Sequence, residues 1–190
     1  MVNLTITKED LNRISSKKNF SNDNVIGKVG EKMATQYLTE QMGLIFCGES
    51  ENKNDLKGWD LEFEKEDKKF RYEVKTDVYI ISGKWFQPNG WENKIWVEGK
   101  DTGNIFIEFH SRGIESGITT TTADVWMNFF FHLDELWMIP VTKLRNLISE
   151  NEFLVSEESG DINSHTKGYL IPREEFRKHF KVIKYQKTIV

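Results

Sequence analysis

The sequence has one cysteine in 190 residues, Cys47. That excludes an internal disulfide framework and a multi-cysteine zinc site, and it suits a reducing, cytoplasmic setting. No apolar run approaches the ~20 residues that a bilayer crossing needs. Met1 to Lys18 is polar and of mixed charge, without the apolar centre of a secretory signal. Histidine is scarce, and His132, His165 and His179 have no partner at zinc-ligand spacing. A P-loop is absent, because Gly27-Lys28 and Gly83-Lys84 lack its frame. So are the Gly-x-Ser-x-Gly elbow and a Cys/His nucleophile arrangement.

What the chain does have is material for a core. Thirteen Phe and six Trp, 38% hydrophobic and 29% charged residues describe an ordinary globular chain. A single domain over 1–190 would bury about 70% of its unfolded surface. The net charge of −4 argues against coating nucleic acid by bulk attraction. The charge is uneven, however. From His165 to Val190, seven basic residues (Lys167, Arg173, Arg177, Lys178, Lys181, Lys184, Lys187) face Glu174 and Glu175, a local +5 on a body of −9. Two readings fit this C-terminal basic extension, a phosphate-contacting surface and a solvated helix face.

Periodicity predicts helices over Lys8–Ser15 and Gly27–Met42, the second with Val29, Met33, Ala34, Tyr37 and Leu38 on one stripe and Gly43 as its stop. The polar run 21–24 reads as a loop, and 44–47 as a short strand. Residues 59–64 and 70–75 alternate as two strands of a hairpin joined by the charged 65–69, and Asn104–His110 alternates again. Residues 78–103, with Trp85, Trp91 and Trp96, read as an aromatic insertion or extra hairpin. Thr121-Thr122-Ala123-Asp124 resembles a capping box, so a helix is expected through Phe130. Glu135–Pro140 reads as a buried strand, then a helix capped by Thr142, a strand at 169–172 and an edge helix over 173–180. The expected order is αβββαβ with additions, a mixed sheet with helices on both faces.

Asp60, Glu73 and Lys75 form the candidate constellation. Period-two geometry places Glu73 and Lys75 on one face of one strand, with Asp60 on the neighbouring strand. Phosphodiester hydrolysis needs this combination: carboxylates for a hard cation, and a lysine to orient water or stabilise charge. Glu-x-Lys occurs five times, but only Glu73-Val74-Lys75 lies in an alternating strand. An exposed strand face carrying a plain Glu–Lys ion pair fits the pattern equally.

Gly30-Glu31 opening a helix, then Gly58-Trp59-Asp60, then Tyr72-Glu73-Val74-Lys75-Thr76 resembles the PD-(D/E)xK nuclease superfamily, over roughly 25–150. That group contains restriction endonucleases, junction-resolving enzymes and phage or repair nucleases. One departure is Trp59, where the family has proline. The resemblance implies a restriction-endonuclease-like αβββαβ core and DNA as partner. It implies Mg²⁺, with Mn²⁺ substituting, held by Asp60, Glu73 and the Val74 carbonyl. Lys75 is then catalytic, Glu31 auxiliary, and the product a 5′-phosphate. An endonuclease is favoured over an exonuclease, and duplex cutting by this fold implies a homodimer. For Glu31 the exposed end of an amphipathic helix remains a competing reading.

Asp77 shares the Glu73 face, and Glu108 and His110 share the polar face of the next strand, expected beside the motif strand. The glycine- and hydroxyl-rich loop with Arg112, Ser116 and Thr119 runs into the expected helix start, where backbone N–H groups favour phosphate. With Arg173, Arg177 and Lys178 it makes up the candidate DNA contacts. Two competing functions remain: a catalytically inactive nuclease-fold module that binds DNA or protein, and an interaction module using the aromatic insertion.

Overall fold

Alternating side chains build the ribbon at the centre of the computed structural model, which describes residues 1–15, 20–50, 58–77, 84–86, 95–159 and 165–190. Strands β3 (Leu61–Lys65) and β4 (Lys68–Asp77) pair antiparallel from Leu61↔Tyr72 to Lys65↔Lys68. Glu66 and Asp67 close the hairpin, both at positive φ (52° and 61°), the twist a two-residue turn needs. The ribbon belongs to a seven-stranded mixed sheet, β1-β13-β10-β9-β4-β3-β2. Its other strands are β1 (Val2–Ile6), β2 (Ile45–Glu49), β9 (Val125–Phe130), β10 (Glu135–Pro140) and β13 (Lys181–Ile189). The pairs β4/β9 and β1/β13 are parallel. A second, antiparallel sheet runs β11-β12-β7-β8. It comprises β7 (Asn104–Ser111), β8 (Ile114–Glu115), β11 (Leu154–Ser159) and β12 (Thr166–Pro172). The hairpin of β5 (Lys84–Phe86) and β6 (Ile95–Val97) stands apart as a two-stranded pair, as expected of an extra hairpin.

Helix α1 spans Lys8–Ser15 as its pattern predicts, and α2 spans Phe20–Glu40. The polar run 21–24, expected as a loop, falls in the first turn of α2, the end of a helix where Ser, Asn and Asp are best tolerated. Gly43, at φ 65°, follows the helix end as expected. The stripe Val29, Met33, Ala34, Tyr37 and Leu38 packs on Tyr72, Val74, Met127, Phe129 and Leu136 in one core. A second core fills the space between the sheets: Trp126, Phe130, Trp137 and Ile139 meet Ile105, Ile107 and Ile171. Helix α3 (Val141–Glu150) adds Leu144 and Leu147 to it. The large sheet is thus covered by α2 on one face, and on the other by the second sheet with α3 rather than by helices alone. No helix among the described residues is long and apolar enough to cross a membrane.

Further expectations fail. Residues 125–130 are a strand, not a helix. Strand β9 is buried on both faces, Met127 and Phe129 in one core and Trp126 and Phe130 in the other, so its apolar run carries no alternation. Asp124 does not cap a helix; its carboxylate accepts the Arg71 N–H at 2.8 Å. Residues 104–110 do not lie beside β4, whose second neighbour is β9. Helix α3 begins at Val141 after Pro140, and Thr142 supplies no cap. The end of the chain is not an edge helix. Helix α4 is only Arg173–Phe176, followed by a 3₁₀ turn Arg177–His179. Strand β13 then enters the large sheet between β1 and β10. Strand β1 carries strict alternation, Val2, Leu4 and Ile6 against Asn3 and Thr5, whereas in β13 lysines, Gln186 and Thr188 break up the apolar pattern.

Candidate active site

Lys75 and Glu73 project from the same face of β4, beside Trp126 and Asn128 of β9 in the parallel register. Their charged ends join at 2.6 Å, Lys75 Nζ to Glu73 Oε1. The lysine also lies over the indole of Trp126, 5.6 Å from the ring centroid. Asp60 reaches the pair from the segment that leads into β3. Its N–H donates to the Tyr72 carbonyl at 2.9 Å, continuing the ladder one residue beyond the strand. Its Oδ2 accepts the Val74 N–H at 2.7 Å. Because a strand residue's N–H and C=O point to one edge, the Val74 carbonyl faces the same edge as Asp60. Glu73 and Lys75 are thus in contact, and Asp60, bound to the backbone between them, feels both charges.

The electrostatics follow from that arrangement. Glu73 is buried at 7% exposure. Burial and the Glu73 charge push the Asp60 carboxyl up to about 7, against the pull of Lys75 and the Val74 N–H. Burial works against the Lys75 charge, but Glu73 and Asp60 outweigh it and hold the ammonium above its ordinary range. One cation thus serves two carboxylates in a partly dehydrated place.

Glu31 comes close through a glycine. A Cβ at Gly30 would stand 1.9 Å from Thr76 Oγ1, so only glycine lets α2 lie this near β4. The Glu31 charge reaches Asp60, and Lys75 acts on Glu31 in turn. Burial raises the Glu31 carboxyl, and Lys28 opposes the rise. Lys28 bonds Glu31 directly and reaches Glu49 at 2.7 Å. Among the described residues no three His, Cys, Asp or Glu side chains are grouped to hold a metal ion. A metal here would rest on two carboxylates and a backbone carbonyl, with Glu31 held off by its lysine.

No protein-family model matches the chain, and no curated protein matches it. It is similar to the solved structure of a bacterial homing endonuclease, I-Ssp6803I, at 15% identity and a TM-score of 0.39. The match covers 63% of this chain and 65% of that protein's own length. The likeness is loose, and the case for a function rests on the side chains.

The peripheral candidates scatter. Glu108 lies on the second sheet, yet its charge acts on Lys75 from across the gap. Asp77 ends β4 beside Phe130 in the register. His110 pairs in the ladders with Glu115 and Lys167, and its Nδ1 is buried without a hydrogen bond. The loop 116–124 is no phosphate cradle, since no helix follows it and its N–H groups are spent internally. Ile118 donates to Glu108 O, Thr119 to Ser116 O, Thr120 and Thr121 to Gly117 O, and Thr122 to Gly58 O. Thr119 Oγ1 donates to Phe109 O, and the Ser116 hydroxyl is buried. Arg112 is exposed in the β7–β8 turn at φ 53°.

Arg173 and Arg177, expected among the DNA contacts, are each paired to a carboxylate of the fold. Arg173 is buried at 5% exposure, bonds Asp101 and lies over Phe130. Arg177 forks onto both oxygens of buried Glu135, at 2.8 and 3.1 Å. The Arg173 charge is buried against the partly exposed Asp101, while Arg177, 37% exposed, is tied to the buried Glu135. Lys178 is exposed. The side chains of Trp85 and Trp96, and the whole of Trp91, lie outside the described residues.

Sequence reasoning missed the supports of the site. Asn128 Oδ1 accepts Trp126 Nε1–H at 2.8 Å, fixing the ring below Lys75. Both side chains are buried. The signal was there: residues two apart share a face in a strand, and reading 125–130 as a helix hid it.

Proposed function

We propose that the protein is a metal-dependent DNA nuclease, an endonuclease with a restriction-endonuclease-like αβββαβ core. In this reading α2, β3, β4 and β9 carry that core, with β9 rather than 104–110 as its third strand. One observation carries the proposal: Asp60, from the segment leading into β3, accepts the Val74 N–H while Glu73 on the same stretch of β4 pairs with the Lys75 ammonium, and the three charges act on one another. The donor set suits a hard divalent cation, since every candidate ligand is oxygen. Asp60 Oδ2 is engaged by the Val74 N–H and Glu73 Oε1 by Lys75, while Glu73 Oε2 has only the long 3.4 Å contact with the Thr121 hydroxyl, so a cation would take Asp60 Oδ1 and compete for Glu73 Oε2.

Asp60, Glu73 and the Val74 carbonyl would hold Mg²⁺, with Mn²⁺ as substitute. Bound there, the ion supplies Lewis acidity and a water of lowered pKa. Lys75 stays protonated between two carboxylates, so it presents a positive charge to the non-bridging phosphate oxygens. Glu31 is auxiliary, and duplex cutting would bring two copies together.

The test incubates plasmid, linear, forked and four-way-junction DNA with Mg²⁺ or Mn²⁺ and wild type, Glu73→Ala or Lys75→Ala. Both substitutions should abolish cutting, with metal affinity lost in Glu73→Ala and kept in Lys75→Ala. Equal activity in all three proteins would reject the assignment. DNA binding by wild type without any cutting would favour an inactive nuclease-fold module.

A further inference from the structure

Between the two sheets, residues 117–122 form a strap across the site. From outside, Arg145 of α3 grips it: Nε and Nη2 donate to Ile118 O at 3.2 and 3.0 Å, and Nη2 to Thr121 O at 2.8 Å. From inside, Thr121 reaches the backbone two residues ahead of Asp60 and the Glu73 carboxylate. Its hydroxyl donates to Gly58 O at 2.6 Å, with Glu73 Oε2 as a second, longer acceptor at 3.4 Å. The same oxygen accepts the Ala123 N–H at 3.2 Å. Thr121 is 3% exposed, a buried polar group with its hydrogen-bonding capacity used. The fit beneath it is close. Gly58 sits at φ 63°, and a Cβ there would meet Thr120 O at 2.7 Å and Thr122 N at 2.9 Å.

From this geometry we infer that Thr121 is a positioning residue that sets Asp60 relative to Glu73. Gly58 stands two residues before Asp60, so the Thr121 hydroxyl, together with the Thr122 N–H on the same carbonyl, fixes where the Asp60 segment enters β3. Its second acceptor is the other carboxylate itself. One hydroxyl thus ties the two acidic arms to a common point, and Arg145 holds that point to α3. The chain arrives here because β9 starts at Val125 and the strap must return from β8 across the hairpin end. That the pair binds a cation rests on the nuclease reading; that Thr121 sets the pair does not.

Isosteric Thr121→Val removes the hydroxyl and keeps the volume, whereas Thr121→Ser keeps the hydroxyl and loses a methyl. Amide hydrogen exchange of Val74 in the full chain reports whether Asp60 still accepts its N–H, with the Met127 and Leu136 amides as core references. In Thr121→Val, Val74 should exchange about tenfold faster or more, as a weakened bond to a charged acceptor implies, while the references hold. Thr121→Ser should stay near wild type. Calorimetric Mn²⁺ affinity should fall in the valine variant and survive in the serine variant. Arg145→Leu, which loosens the strap from outside, should move Val74 the same way if the valine variant does not fold. An unchanged Val74 amide in Thr121→Val, or equal damage in Thr121→Ser, would overturn the inference. Wild type that binds no Mn²⁺ would sink the nuclease reading, while the exchange result still judges Thr121.

Discussion

The ammonium of Lys75 has a carboxylate on one side and an aromatic face on another, and the second contact gives the indole of Trp126 a role beyond filling the core. A cation over a ring gains about 0.5–2 kcal/mol, more where water is excluded. Removing the ring should therefore slow a reaction that depends on the Lys75 charge by roughly threefold to thirtyfold. Trp126→Leu is the variant, with nicking rates measured at saturating DNA. It should also cost about 3 kcal/mol of stability as a large-to-small change in a dry core, read by urea denaturation. Trp126→Phe keeps a π face and should recover much of the rate. At this scale Asp60, Glu73 and Lys75 were legible in the sequence because alternation assigns faces. Thr121 and Asn128 were not, because what they hold lies on other strands.

Two elements owe their place to backbone features of single residues. Helix α2 lies against β4 only because Gly30 has no side chain to collide with Thr76. Gly30→Ala should push the two apart and destabilise by about 1–3 kcal/mol, the usual cost of overpacking. Thermal unfolding measures it, and the shift should carry Glu31 away from the site. At the β3–β4 turn the strain runs the other way, since Asp67 holds φ 61° with a side chain attached. Asp67→Gly should stabilise by up to about 1 kcal/mol, as a left-handed position relieved of its Cβ does. A raised urea midpoint at unchanged slope would be the sign. The alternating strands and the amphipathic α2 were readable as elements. Strand β9 was not, because burial on both faces erases the period that separates strand from helix.

Over the whole molecule, charge that looked like a surface is turned inward. Arg177 bridges the 3₁₀ turn after α4 and the large sheet through Glu135, and its hydrogen bonds, against the burial penalty, hold the Glu135 carboxyl below its usual range. A carboxylate lowered in the folded state contributes stability that is complete above its unfolded value of about 4.5. That share is lost as pH falls through the folded value. Wild type should therefore lose stability on acidification below about pH 4.5. Arg177→Leu should lower stability at pH 7 by about 1–3 kcal/mol, discounted because the arginine is 37% exposed on its outer side. The gap between the two proteins should narrow towards pH 3, which a series of denaturation curves measures. The second contributor is the pair of Arg173 with Asp101, which closes the start of the second sheet onto α4.

What the sequence by itself determined was local: the β3–β4 ribbon, the stripe of α2, and the facing of Glu73 and Lys75, all of which follow from repeat lengths of 2 and 3.6. The tertiary structure alone decided which strands became neighbours. It set β13 inside the large sheet and β7 in another, it made β9 a strand, and it paired Arg173 with Asp101 and Arg177 with Glu135. The physical reason is that pairing and desolvation are long-range. A strand's partner, and the acid that neutralises a buried arginine, lie tens of residues away, where no local period records them.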